Sequence, residues 1–485
     1  MDKSKKRVLV LNPATKKSKN VVRDILYGCW CNGKRIGKGT VPPFYLLLIA
    51  TVIKDAGYDV TFFDALGEGK TIEDAPPGPY DYLVCSTSTM TFNEDVQALN
   101  FYKQHNPSIK TFIYGSHATF MPKYCMKHDG VDFCVRQEPE ITIRELINKL
   151  TNGEDYSEMP AISFRNAAGE VQRNRGISYV EEPDELPFLD TSMLPRNVEY
   201  FNPLVERFPY ITMITSKGCP AKCTFCTSPF IYGKSIRYQS AKRVVDEVEQ
   251  HLNNGYREIY FRDETFNADA ERTFQMCDQI IERKLDVVWI CNSRVDSITR
   301  DMMVRMKEAG CHYIKFGVEH YNQEMLDRVR KGYLAEDCRK VFKWAHEVGV
   351  DTHAHMMLGM PGETKETMEK NIRYAIELDP TTVTFGVCTP YPGTPLFIEV
   401  AKNHPEIEDG SINDLSILHT EGIFNEAYTS LTKEELSAGI REAYRAFYTR
   451  PRYLWNSLRR IKNPSDMRRI AVAGSNVLDF ALAGG

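Results

Sequence analysis

Short apolar runs alternate with amphipathic stretches in two separate parts of the chain. In the first, RVLVL (7–11) precedes a helical segment that opens after Pro42 and Pro43. DVTFF (59–63), YLVCS (82–86), a helix from about Asn93, KTFIY (110–114) and DFCVR (132–136) follow. Apolar runs of this length, bounded by Gly, Pro and Asp, read as strands buried on both faces. Their alternation with helices predicts a doubly wound parallel sheet over residues 1–150.

Between Thr151 and Pro209 the pattern dissolves into Pro-punctuated segments with one hairpin around Asn166–Gly169, so 151–209 is expected to be a linker. A second series begins at YITMIT (210–215). It continues with EIYFRD (258–263), VVWICNSR (287–294), YIKFGVE (313–319), THAHMML (352–358) and TVTFGVC (382–388), separated by helical stretches such as 241–252, 270–284 and 363–378. Six βα repeats fall short of the eight of a closed barrel and predict a partial (β/α)6 barrel over 210–395, with its site at the carboxyl ends of the strands. Residues 396–485 read as mostly helical. The expected fold is therefore α/β: a Rossmann-like sheet, a partial barrel and a helical carboxyl-terminal region.

Among the 485 residues 26% are charged and 42% hydrophobic, and 61 Lys and Arg against 65 Asp and Glu leave a net charge of -4. That is an ordinary globular profile, and nothing in it points to nucleic acid. The longest apolar run, Phe44–Ile53, is about half the roughly 20 residues that span a bilayer. The amino-terminal MDKSKKRVLVLNP fits the start of a domain better than a secretory signal, so a cytoplasmic location is expected. Thirteen cysteines at scattered spacings argue for reduced thiols rather than a disulfide framework.

Three of them form a local cluster. In ITSKGCPAKCTFCTSP, Cys219, Cys223 and Cys226 are spaced C-x3-C-x2-C just after the first strand of the second series. Four thiolates complete an iron-sulfur or structural zinc site, so three in close order leave one position open. A zinc site completed by a distant Cys or His and a coincidence in a Cys-rich chain are the competing readings.

At this point the chain resembles the radical S-adenosylmethionine (SAM) superfamily. The resemblance implies that the three cysteines hold a 4Fe-4S cluster whose fourth iron takes the amino and carboxylate groups of SAM. Reduction then yields a 5′-deoxyadenosyl radical that abstracts hydrogen from the substrate. It further implies Phe225 near adenine, and Asp263 and Glu264 of FRDETF facing the SAM amino group, although such an acidic pair also suits a helix N-terminus. Arg294 would meet the SAM carboxylate or else form a surface ion pair. Glu319 of FGVEHYNQEMLDRVRKG would meet ribose hydroxyls or the amino group, and Gly359 and Gly362 of LGMPGET would let backbone approach adenine. TPYPGTPL (389–396) completes the series. His353 and His355, two apart on one strand face, are read as histidines satisfied inside the barrel, with a substrate contact as the other option.

The first domain lacks the dinucleotide fingerprint, because its first turn reads LNPATKKSKN. From about Arg7 through Pro395 the chain instead resembles a cobalamin-binding domain fused to a radical SAM barrel. That first turn also lacks the D-x-H-x-x-G of histidine-ligated cobalamin domains, so base-off cobalamin without a histidine from this loop is expected. STST (86–89) and YGSHAT (114–119) match the family's strand-end signatures, with 26 residues between Ser88 and Gly115. Ser86, Ser88, Gly115, Ser116 and His117 are the implied cobalamin contacts. QEPE (137–140) resembles the family's G-E-x-E turn, with Gln137 in place of glycine.

The resemblance implies a cobalamin-dependent radical SAM enzyme that methylates an unactivated carbon through methylcobalamin. A radical SAM cyclase or oxidative rearrangement enzyme is the alternative, since relatives of the anaerobic oxidative cyclase share this domain order. A cobalamin sensor or carrier with an inactive barrel is the alternative from another class. The implied partners are an external electron donor of flavodoxin or ferredoxin type and a small-molecule substrate, lipidic or tetrapyrrole among the options. From Arg441 to Arg469 nine basic residues face two acids, interleaved with Tyr444, Phe447, Tyr448, Tyr453 and Trp455. That tail is read as a solvated face packed on the barrel through its aromatics, with peripheral membrane contact as the other option.

Overall fold

The computed structural model describes residues 3, 6–14, 40–76, 78–408 and 424–483; most of the first turn, 11–20, lies outside them. Strands β1 (Arg7–Asn12), β2 (Asp59–Asp64), β3 (Tyr82–Ser86), β4 (Lys110–Tyr114) and β5 (Phe133–Val135) pair in parallel in the order β2-β1-β3-β4-β5. Val8, Val10, Val84 and Phe112 pack on the helices Phe44–Asp55 and Pro139–Asn152, while Leu9, Leu11, Leu83 and Ile113 face a second core. Burial on both faces is why these strands are apolar without alternation. β6 (Ile162–Arg165) and β7 (Val171–Arg173) extend the same sheet antiparallel beyond β5. Their turn is shaped by Asn166, whose Oδ1 accepts from the Ala168 and Glu170 amides. The hairpin lies where the spacing predicts, and its pairing places two more strands on the first sheet.

The second sheet contains β8 (Tyr210–Met213), then β11 (Glu258–Phe261), β12 (Val288–Ser293), β13 (Cys311–Glu319), β14 (Asp351–Leu358) and β15 (Thr382–Val387), with the short β9 (Ser216–Lys217) and β10 (Arg237–Tyr238) forming a separate antiparallel clasp. The six long strands are parallel in the order β8-β11-β12-β13-β14-β15, and β8 and β15 are the two ends of that sheet. This is the expected open, partial barrel. One end of its lumen is filled by Val205, Tyr210, Tyr260, Ile290 and Tyr313.

The free edge of β15 is covered. Helix Lys433–Tyr448 lays Tyr448 against it, where the hydroxyl accepts from the Val383 amide (3.0 Å) and donates to the Val383 carbonyl (2.6 Å). Paired in this way, an edge strand is no longer a template for another chain. Tyr444, Phe447 and Tyr448 are buried, whereas Trp455 on the following helix, Pro451–Arg459, is 62% exposed. Among the described residues no helix is long and apolar enough to cross a membrane, and all cysteines are free thiols.

Candidate functional site

The cysteine loop leaves the barrel through β9 and returns through β10. Gly218, at φ +106°, lies so close to the Ser235 carbonyl that a Cβ would sit 2.2 Å from its oxygen, so only glycine fits. The Thr224 amide donates to the Val329 carbonyl, and the Leu396 amide donates to the Thr224 carbonyl, each at 3.0 Å. These bonds tie the loop to the segments that follow β13 and β15. Cys219 and Cys223 are buried and Cys226 is half-buried. Burial raises the Cys219 thiol and pushes Cys226 up to about 12; Cys223 adds to both, while Arg294 opposes the first and Lys331 the second. Among the described residues no three His, Cys, Asp or Glu side chains gather as ligands of one metal ion. What the three share is electrostatic: Cys223 acts on both of the other thiols and Arg294 and Lys331 favour thiolates, and soft sulfur donors of this kind suit an iron-sulfur cluster.

Glu319 ends β13 at a bulge and holds φ +59°, a left-handed conformation at a non-glycine residue. Its carboxylate pairs with Lys331 at 2.6 Å, both side chains nearly buried. Burial lowers Lys331, but Glu319 and Cys223 outweigh it and hold the ammonium above its usual range. The Lys331 ammonium also lies 5.8 Å from the Phe225 ring centroid. Lys331 was missed in the sequence; its one signal was the Arg330-Lys331-Gly332 that closes the FGVEH stretch. Arg294 reaches the same corner, with Nη2 donating to the Lys331 carbonyl (3.0 Å), but its guanidinium is already paired with Asp296 at 2.9 and 2.7 Å.

Several of the expected contact residues are enclosed by protein. Asp263 is fully buried: its Oδ1 accepts from the Thr215 amide (2.9 Å), the Thr215 hydroxyl (3.0 Å) and the Ser216 hydroxyl (2.6 Å), while among the described residues its Oδ2 has no hydrogen-bond partner. Burial raises its pKa, with Arg272 and those donors opposing. Asp263 therefore fixes the junction of β8 and β9, while its neighbour Glu264 acts electrostatically on Cys219. Gly359 and Gly362, at φ +73° and +84°, are crowded by protein rather than left open. Added Cβ atoms would lie 2.7 Å from Asn425 Nδ2 and 2.5 Å from Arg328 Nη1. The turn they form is held by Glu363, which accepts from the Gly359 and Met360 amides and meets the buried His320 Nε2 at 3.0 Å. This buried pair was also missed, because 43 residues separate its members.

On the first sheet, the segments after β3 and β4 adjoin. Gly115, at φ +122°, would bring a Cβ to 2.2 Å from the Thr87 carbonyl oxygen. Ser88 Oγ lies 3.1 Å from Thr91 Oγ1, while among the described residues the buried hydroxyls of Ser86 and Thr87 have no hydrogen-bond partner. A close backbone floor with unsatisfied hydroxyls fits the polar tail of a corrin cofactor. Ser116 opens the short helix Ser116–Phe120. His117 is turned away from the surface, contrary to expectation. Its ring packs 4.7 Å from Phe92, with Nδ1 3.2 Å from Thr89 Oγ1, and burial lowers its pKa to about 3.

The two sheets meet at their functional ends. Gly393, in the segment after β15, lies against the Phe120 ring, 2.0 Å from where its Cβ would be. Glu138 grips Arg237 through both carboxylate oxygens (2.5 and 3.0 Å), and Glu140 pairs with Lys217, all four side chains buried or nearly so. The QEPE turn of the first sheet thus clamps the β9–β10 clasp under the cysteine loop. Its first residue, Gln137, has φ +62°, the backbone that glycine would adopt without strain.

Fold and site together define a radical SAM barrel joined to a corrinoid-binding sheet. Residues 213–375 match the model of the radical SAM superfamily and residues 37–147 that of the B12 binding domain. The chain belongs to the cobalamin-binding radical SAM superfamily. It is 29% identical over 428 residues to an uncharacterized methyltransferase of Pyrococcus horikoshii, covering 87% of this chain and 91% of that protein. It is 28% identical over 377 residues to the anaerobic magnesium-protoporphyrin IX monomethyl ester cyclase of Rubrivivax gelatinosus, covering 75% and 67%. The solved structure of the radical SAM methyltransferase TsrM from Kitasatospora setae, with cobalamin and a 4Fe-4S cluster bound, shares the fold at a TM-score of 0.64, 17% identity and 88% coverage of both chains.

Proposed function

We propose that this protein is a cobalamin-dependent radical SAM C-methyltransferase. The observation that carries the reading is the juxtaposition of the three-thiol loop with the strand ends of the first sheet, joined by the Glu138–Arg237 and Glu140–Lys217 pairs. When bound, the cluster and SAM supply radical chemistry and cobalamin supplies a carried methyl group. Cys219, Cys223 and Cys226 would hold the cluster. Glu319, Arg294 and Glu264 would orient SAM, beside Phe225, with Lys331 as a further cation. Ser86, Ser88, Gly115 and Ser116 would line the corrin tail. The chain's own contribution is positioning and the exclusion of water from a cleft between two sheets.

An external electron donor of flavodoxin or ferredoxin type in the cytoplasm fits this chemistry. A lipidic or tetrapyrrole substrate is consistent with the cyclase relationship. Peripheral membrane contact is supported by helix Pro451–Arg459, which exposes Leu454, Trp455 and Leu458 beside Arg459.

The test is anaerobic reconstitution with iron, sulfide and hydroxocobalamin, followed by mass spectrometry of SAM-derived products. 5′-Deoxyadenosine together with S-adenosylhomocysteine is the expected result. 5′-Deoxyadenosine alone indicates the cyclase-type reaction. Unchanged substrate turnover in Cys223→Ala would favour a carrier with an inactive barrel.

A further inference from the structure

The barrel lumen contains a polar set that the cofactor sites do not use. Along β13 and β14 alternate residues point inward, and the register sets Lys315 beside His353 and Gly317 beside His355. The outward neighbours Ile314, Phe316, Ala354 and Met356 are fully or nearly fully buried beneath the helices, whereas Lys315, Gly317, His355, Met357 and Thr384 are partly exposed. The inward face therefore looks onto open space. It is closed at one end by Tyr210, Tyr260, Ile290 and Tyr313, and Glu319 and Lys331 stand at the other.

Lys315 donates one hydrogen bond, to the Tyr260 hydroxyl at 2.6 Å. An ammonium has three donors. The carboxylates of β11, β13 and β14 nearest this face are engaged elsewhere: Glu319 with Lys331, Asp351 with Arg460 and Glu258 with His312. Among the described residues Lys315 meets no carboxylate. Above it, Thr384 Oγ1 lies between two rings, 3.0 Å from His353 Nε2 and 2.9 Å from His355 Nδ1, while Thr382 Oγ1 lies 2.6 Å from His353 Nδ1. A hydroxyl donates one hydrogen, so it accepts from one ring and donates to the other. When Thr384 donates to His355 Nδ1, the neutral imidazole carries its hydrogen on Nε2. Burial, reinforced by Lys315, keeps both rings neutral by lowering their pKa values. Gly317 carries no side chain beside His355, and the Glu319–Lys331 pair closes over it, 2.8 and 3.0 Å from where a Cβ would be, so this pair borders the space on the cofactor side.

We propose that this lumen binds an oxyanion of the substrate, a carboxylate or a phosphate, between Lys315 Nζ and His355 Nε2. The inference rests on the reading of the barrel as a radical SAM active site, and it adds the substrate's chemical class. Lys315 lies four residues along β13 from Glu319, about 13 Å of extended strand. The anionic end is thus anchored deep, and the reacting carbon extends back toward the cofactor corner. A cation in a partly enclosed space without a counter-charge gains most from a ligand of opposite sign.

Competitive acetylation of lysines in the cluster- and cobalamin-loaded enzyme, read by peptide mass spectrometry, tests this without the substrate or turnover. Inorganic phosphate and succinate are the probes, and exposed Lys340 is the internal control. One of the two anions should slow acetylation of Lys315 saturably by about tenfold, the worth of a charge-assisted hydrogen bond, while leaving Lys340 unchanged. Protection by phosphate indicates a phosphoryl substrate, and protection by succinate a carboxylate. His355→Leu should require about tenfold more anion for the same protection. The proposal is overturned if Lys315 reacts at one rate with and without both anions, if it does not react at all, or if His355→Leu is protected like the parent. Product analysis of SAM cleavage is independent, so methylation without anion protection would sink this inference and leave the methyltransferase reading intact.

Discussion

Gln137 and Glu319 each hold a left-handed backbone at a place that matters. A non-glycine residue in that conformation costs roughly 1–2 kcal/mol. Gln137→Gly should relieve part of that strain and raise stability by up to about 1 kcal/mol in urea unfolding, less what the Gln137 Oε1 bond to the Ser178 amide contributes. The buried histidines set the acid limit. Burial lowers His117 to about 3 and His251 to about 4, against an unfolded value of 6.5. Between those values the unfolded chain binds protons that the folded chain refuses, so stability is full above the unfolded value and is lost as the pH falls. Each such histidine should contribute about 1.4 kcal/mol of loss per pH unit. Urea unfolding at about pH 7 and pH 5 should show this slope, and His251→Leu should make it shallower. At this scale the cysteine spacing was legible, because C-x3-C-x2-C is a local pattern. The inward turn of Asp263 was not, since a carboxylate reads the same whether it faces a ligand or Thr215.

The elements were the most legible level. Every long strand of both sheets lies on a run identified by its apolar length, with boundaries moved by a few residues. YITMIT is the instructive difference. It ends as a barrel strand at Met213, and Ser216–Lys217 then pairs with Arg237–Tyr238 instead of extending the barrel. A two-residue clasp carries no periodicity to detect. That clasp is the point on which the first sheet bears, so Glu140→Gln, which leaves Lys217 buried without its closest counter-charge, should cost about 3–5 kcal/mol of stability. The loss should appear as earlier thermal unfolding together with faster proteolysis of the loop between β9 and β10. An unchanged melting profile would mean that the clamp does not join the sheets energetically.

At the level of the whole molecule, the basic aromatic tail divides. Tyr444, Phe447 and Tyr448 seal the barrel edge, while Leu454, Trp455 and Leu458 remain outside with Arg459 and Lys462 nearby. An apolar helix face with a basic rim suits an anionic bilayer surface. Sedimentation with phosphatidylserine-containing vesicles should show binding that is lost at high salt and in Trp455→Ala, and equal partitioning at all salt concentrations would exclude it. The linear sequence determined the two βα series, the thiol loop after the first barrel strand and the helical tail, because each follows from neighbours within a few residues of one another. Only the tertiary structure decided that the hairpin after β5 joins the first sheet, that Lys331 closes on Glu319 and that Lys315 and His355 share a lumen. Those facts depend on which way a strand faces once the sheet has curled, and contacts across separate βα units are what set that curvature.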